Sequence, residues 1–167
     1  MTAWFARVGL PLAPDEEAAV LELMRSVVPH ATAAVTALAS WQEVARLLRA
    51  AERDSTAWDQ EEEEREALWV RATEQRTEDE VLRHLDAGIR GLDDEVRVAA
   101  LAAIARAGVA DAALASEATG MALLAAHQSA LALLAGEGPD HRFVRKYALF
   151  TRGRWPLGYH SARFAIF

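Results

Sequence analysis

Cysteine is absent from all 167 residues. That removes disulfide staples, thiolate metal ligands and cysteine nucleophiles together, and it fits a reducing, cytoplasmic setting. Lysine is nearly absent as well: of 18 basic residues, only Lys146 is not arginine. With so much alanine, this is the composition of a GC-rich coding sequence of bacterial type. No apolar run is long enough for a membrane span, which needs about 20 residues. The nearest, Met121 to Ala135, is interrupted by His127 and Gln128. The first residues, Met1 to Arg7, lack the apolar stretch of a signal peptide. Acid is missing from one region only: His141 to Phe167 contains none, but holds Arg142, Arg145, Lys146, Arg152, Arg154 and Arg163. With a net charge of -7 overall, the remaining 140 residues carry -13, which is -7 minus +6. That balance argues against nucleic acid as a partner.

Motifs of chemistry are missing too. There is no Gly-x-Ser-x-Gly elbow, and His160-Ser161 are sequence neighbours that point to opposite sides of an extended segment. The sole Gly-x-Gly, Gly136-Glu137-Gly138, follows no strand, so no phosphate cradle is expected. No His-Glu-x-x-His or Glu-x-x-His pair is present. The sequence therefore predicts no catalytic residue, cofactor or metal.

What is present is helix punctuation. Pro14-Asp15-Glu16-Glu17 suits a first helical turn, followed by Val20, Leu23, Met24 and Val27, with Pro29 as the stop. Ala31 to Ala39 reads as a short helix. Ser40-Trp41-Gln42-Glu43 fits a capping box ahead of Val44, Leu47, Leu48 and Ala51. Asp59 is a candidate cap for the helix holding the run from Glu61 to Glu66. Thr77-Glu78-Asp79-Glu80 is a second box, with Gly91 past that helix's end. Asp93-Asp94-Glu95 opens the next helix, which stops at Gly108. Two Ala-rich helices are expected on either side of Gly120. Pro139-Asp140 starts the last one, closed by Gly153. From Arg154 the chain becomes extended, with a hairpin turn expected between Gly158 and Ala162. Trp155, Phe164 and Ile166 should dock on the helices. The expected fold is all-α: a single-domain irregular bundle of about eight helices (1–153) with an extended tail or hairpin (154–167).

Leu85 to Gly108 resembles one unit of a HEAT-type repeat. The end of one helix (Leu85, Ile89, Leu92) meets the acidic turn Asp93-Asp94, and Glu95-Val96-Arg97 opens a helix with Ala99, Ala100, Leu101 and Ile104 inward. The resemblance implies a scaffold or binding role and transfers no catalytic residue. Glu62-Glu63-x-x-Glu66 is similar to the first half of the carboxylate set of all-helical nucleotide pyrophosphohydrolases. The second half, Glu-x-x-Asp on the following helix, is missing: Glu78 and Glu80 are followed three places on by Val81 and Arg83. Without it a magnesium cage is incomplete.

Two functional expectations follow. The first is a non-enzymatic protein–protein interaction protein, an acidic immunity-type inhibitor of a basic bacterial toxin. It would act through Glu61, Glu62, Glu63, Glu66, Asp93, Asp94 and Glu95, with no membrane and no nucleic acid involved. The alternative is a helical-bundle enzyme or ligand-binding protein with a polar centre at His127, joined by His84 and Glu80. Leu123, Leu124, Leu131 and Leu134 put His127 on an apolar face, where a core histidine is the plainer reading.

Overall fold

The computed structural model describes residues 2–28, 34–49, 55–160 and 162–167, and for 55–58 the backbone alone. Expectations for Pro29, Ala31 to Ala33, Ala51 and Ser161 lie outside the described residues. About two-thirds of the described residues are helical. Seven helices are found among the described residues: α1 (Pro14–Val27), α2 (Trp41–Arg49), α3 (Ser55–Gln75), α4 (Glu78–Ile89), α5 (Leu92–Arg106), α6 (Ala112–Leu134) and α7 (Arg142–Thr151). Three strands accompany them: β1 (Val35–Ala37), β2 (Pro156–His160) and β3 (Arg163–Ile166).

Several local signals act as expected. Thr77 accepts from Glu80 N at 3.3 Å while Glu80 Oε2 returns to Thr77 N at 2.9 Å, a complete capping box. Ser40 Oγ accepts from Glu43 N at 3.2 Å. Gly91 and Gly108, past the ends of α4 and α5, take the left-handed conformation that a side chain resists.

The all-α expectation is corrected by the sheet. Its order is β1-β3-β2, with β1 parallel to β3 and β2 antiparallel to it. The expected helix from Ala31 to Ala39 is a strand at Val35–Ala37, paired with Phe164–Ile166. Alanine favours helix locally, but Val35 and Thr36 are β-branched and the waiting edge of β3 decides. The expected pair of Ala-rich helices is one helix, α6, running through Gly120. Glycine costs about 1 kcal/mol inside a helix. Buried Ala118, Thr119 and Ala122 on either side outweigh that. Asp59 is not a cap, because α3 begins at Ser55. The last helix starts at Arg142 rather than Pro139, with His141 Nδ1 accepting from Phe143 N at 3.2 Å. These changes bring the count below the expected eight.

Helix α6 is the centre of the helical layer and packs against α3, α4, α5 and α7. Its alanines make this close approach feasible: Ala115, Ala118, Ala122 and Ala125 are buried against Val96, Ala100 and Ile104 of α5. At its other end Leu131, Ala132 and Ala135 meet Leu68 and Ala72 of α3, Val81 and Leu85 of α4, and Phe143. A third cluster joins α1 to the sheet through Val20, Leu23, Met24, Leu149, Phe164 and Ile166. Trp155 is fully buried, in edge and tilted contact with Phe5 and Trp41, so the tail docks as expected.

An ion pair fastens the N-terminal segment to the tail. Arg154, 1% exposed, reaches Glu16 Oε2 at 2.7 Å and Oε1 at 3.2 Å. It also donates to the carbonyls of Arg7 and Leu10, both at 2.6 Å, and Pro11 at 2.7 Å. All five guanidinium contacts are thereby made to chain that precedes α1 or opens it. Burial pushes the Glu16 carboxyl up. The hydrogen bonds from Arg154 and Ala13 N and the charges of Arg154 and Arg7 outweigh it and bring it down to about 2.

Candidate functional site

Two regions carry chemistry: the acidic surface singled out in the sequence, and a cleft that the sequence did not reveal.

The acidic residues divide by the direction they face. On α3, Glu61 and Glu64 turn toward α7. Glu61 holds Lys146 Nζ at 3.0 Å from both carboxylate oxygens and accepts from Gln128 Nε2 at 3.2 Å. Glu64 takes His141 at 2.8 Å and is bonded to Arg142. Glu62 folds back onto Arg65 of its own helix, and that hydrogen bond lowers its pKa. Glu63 and Glu66 remain exposed. On α5, Asp93, Asp94 and Glu95 are all exposed. Asp94 pairs with Arg97 at 2.8 Å, and Glu95 accepts from the Trp4 indole at 2.9 Å. No described contact joins the α3 cluster to the α5 cluster.

The bases of the acid-free C-terminal region behave differently. Arg142 and Lys146 pair with α3, Arg145 with Glu22 and Asp140, and Arg154 with Glu16. Their side chains are between 1% and 23% exposed, so this region presents little basic surface. Arg152 and Arg163 alone among the six stay exposed.

The residues of the alternative centre are placed apart in role. The Glu80 carboxylate is occupied by Thr77, whose backbone and side-chain hydrogen bonds lower its pKa. His84 is exposed, its Nδ1 against the Glu80 carbonyl at 2.6 Å. His127 is half-buried on α6, and burial, then the charge of Arg65, lowers its pKa. A neutral ring at pH 7 is what that environment favours. Among the described residues, no group of three His, Asp or Glu side chains could hold a metal ion. No helix of the described residues is long and apolar enough to cross a membrane.

The cleft has a volume of about 240 Å³ and lies between the helices and the sheet. Leu23 and Val27 of α1 and Leu48 of α2 form one side. Glu117, Met121 and Leu124 of α6, spaced four and three apart, form a single stripe on another. All of β2 from Pro156 to His160, with Phe164, lines the sheet side, and Glu61 and Lys146 stand together in the wall. The His160 ring has Nε2 at 3.1 Å from the Leu157 carbonyl. Sequence reasoning missed this site because its walls come from seven elements. The one sequence signal is the Glu117-Met121-Leu124 stripe, which reads equally as ordinary core. No protein-family model, no curated protein and no solved structure matches this chain.

Proposed function

We propose that the chain is a non-enzymatic protein–protein interaction protein that binds a partner with a basic surface. One observation carries this reading. Four of the six C-terminal bases, Arg142, Arg145, Lys146 and Arg154, are turned inward against acids, whereas Glu63, Glu66, Asp93, Asp94 and Glu95 stay exposed. The excess negative charge of the chain is therefore presented to solvent. Such a field steers a basic partner and raises its association rate more than it deepens affinity. Within this class, an acidic immunity-type inhibitor of a basic bacterial toxin fits best, and the HEAT-like stretch from Leu85 to Gly108 is compatible with a binding scaffold.

The test is kinetic. With a partner captured by the tagged chain and then purified, association should slow as salt rises, since exposed charges are screened beyond about 8 Å at physiological ionic strength. Glu63→Lys with Asp93→Lys should slow association about ten-fold. The melting temperature should barely move, because solvated acids contribute little to stability. Association indifferent to both salt and these reversals refutes the acidic-face reading. A cleft-binding reading is favoured by a different observation, the apolar space beside Glu61 and Lys146.

A further inference from the structure

His141 has two partners at the start of α7, and they make opposite demands on its ring. Its Nδ1 accepts from Phe143 N at 3.2 Å, which caps the helix. Its Nε2 stands 2.8 Å from Glu64 Oε1 on α3. The side chain is 9% exposed, and the ring meets that of Phe143 edge-on at 5.3 Å. In a neutral imidazole one nitrogen donates and the other accepts, whereas in the cation both donate. Because Nδ1 accepts, the capping ring is the neutral tautomer with its proton on Nε2, the nitrogen beside Glu64. A second proton has only Nδ1 to go to. There it would face the Phe143 N–H, donor against donor, and the cap would be lost.

The charged groups around the ring pull it both ways. Glu64 faces it from α3, and a carboxylate that close favours the cation. Arg142, the next residue, bonds the same Glu64 and opposes a second positive charge there. Asp140, the residue before, is drawn away to Arg145 Nη2 at 2.7 Å. The first turns of α7 also carry its polar ties to α3. Arg142 donates to the Gln60 carbonyl at 2.9 Å, and Lys146, one turn on, holds Glu61 at 3.0 Å. We propose that His141 is a proton-operated cap built into the α3–α7 junction. Neutral, it holds the first turn of α7 closed. Protonated, it stays with Glu64 and releases the Phe143 amide, and that turn frays beside α3. The inference is independent of the proposed function.

The experiment uses the full chain labelled with nitrogen-15. Ring nitrogens and backbone amides are followed by NMR from about pH 8 to about pH 5, the range in which histidine changes charge. At the upper end His141 should carry its proton on Nε2 and leave Nδ1 bare. As the ring gains its second proton, the protection of the Phe143 amide against exchange should fall about five-fold, the effect of one lost cap. The two changes should share a midpoint. Glu64→Gln removes the carboxylate and leaves the cap, so both midpoints should move together to lower pH. His141→Ser keeps an oxygen that caps but does not titrate in this range, so the Phe143 amide should keep its protection throughout. That variant also separates His141 from the other four histidines, which remain in place. A proton on Nδ1 at the upper end overturns the proposal, and so does a ring still neutral at the lower end. A ring that titrates while the Phe143 amide does not follow overturns it as well, as does a Phe143 response that persists in His141→Ser. If His141→Ser fails to fold, the joint shift in Glu64→Gln decides alone, and midpoints that part there refute the cap.

Discussion

Replacing Arg154 with methionine removes one charge and keeps an unbranched side chain of similar reach. What it leaves behind sets the cost. Glu16, 4% exposed, would keep the Ala13 amide at 2.9 Å and Arg7 at 2.7 Å, but lose two charge-assisted bonds. The carbonyls of Leu10 and Pro11 would lose their donor, and that of Arg7 would keep only the Leu10 amide at 3.2 Å. Breaking a buried pair by removing one partner costs about 3–5 kcal/mol. Arg154→Met should fall in that range by urea denaturation. The pH dependence provides a sharper check. Its partners bring the Glu16 carboxyl down to about 2 in the folded chain, from an ordinary 4.5. A depressed carboxylate stabilises fully above its unfolded pKa and loses that contribution as pH falls through the folded one. Between pH 4.5 and 2 the parent should lose about 3 kcal/mol through this group, at about 1.4 kcal/mol per unit. In Arg154→Met most of that loss should vanish, because the folded pKa returns toward or above the unfolded value. Glu16→Gln in the Arg154→Met background should recover part of the stability at pH 7, since no uncompensated carboxylate then remains buried. The reasoning fails if Arg154→Met costs under about 1 kcal/mol at pH 7, the size of a surface pair. It fails equally if parent and variant lose stability in parallel on acidification.

Three further substitutions, at Gly153 and Trp155, probe the same junction. Gly153 has φ +92°, and a Cβ there would sit 2.6 Å from the Ala3 carbonyl oxygen, so Gly153→Ala should destabilise by more than about 1 kcal/mol in thermal unfolding; an unchanged melting temperature would mean that the N-terminal segment does not close against this residue. Trp155→Ala should cost about 3–5 kcal/mol, since the ring is fully buried. Trp155→Phe should cost much less, because the buried indole Nε1 has no hydrogen-bond partner to lose.

The parts of the fold legible in the sequence are those decided within a few residues. The Thr77–Glu80 box, Pro14 at the start of α1 and the glycines after α4, α5 and α7 each act through their immediate neighbours. The parts that were not legible depend on distant partners. Val35–Ala37 is a strand only because Phe164–Ile166 lies beside it, 129 residues on. Gly120 reads as a break until the alanines around it are seen to be buried. Glu16 reads as one acid among three in a helix start, and nothing near it announces Arg154 as its partner. The candidate surfaces show the same division. Exposure of Asp93 and Asp94 follows from their place in a first helical turn, but Glu61 and Glu64 face inward because α7 brings bases to them. The cleft assembles from α1, α2, α3, α6, α7 and the sheet, so no sequence window contains it.

The pairing of β1 with β3 and the hold of Arg154 on residues 7 to 16 also impose an order of events during synthesis. The segments 2–28 and 34–49 leave the ribosome well before α7 and residues 154–167, which cover part of their apolar surface. Helices α3 to α6 are different, because their neighbours are close in the chain and can condense as they emerge. Loop closure over such a distance costs entropy before any contact repays it, so the helical layer should form early and the sheet last. In the interval, Trp41, Val20 and Leu23 are uncovered, and with them a β-prone segment whose strand partner does not yet exist. Chaperone dependence and aggregation of a nascent chain stalled before residue 150 are the expected marks of that order.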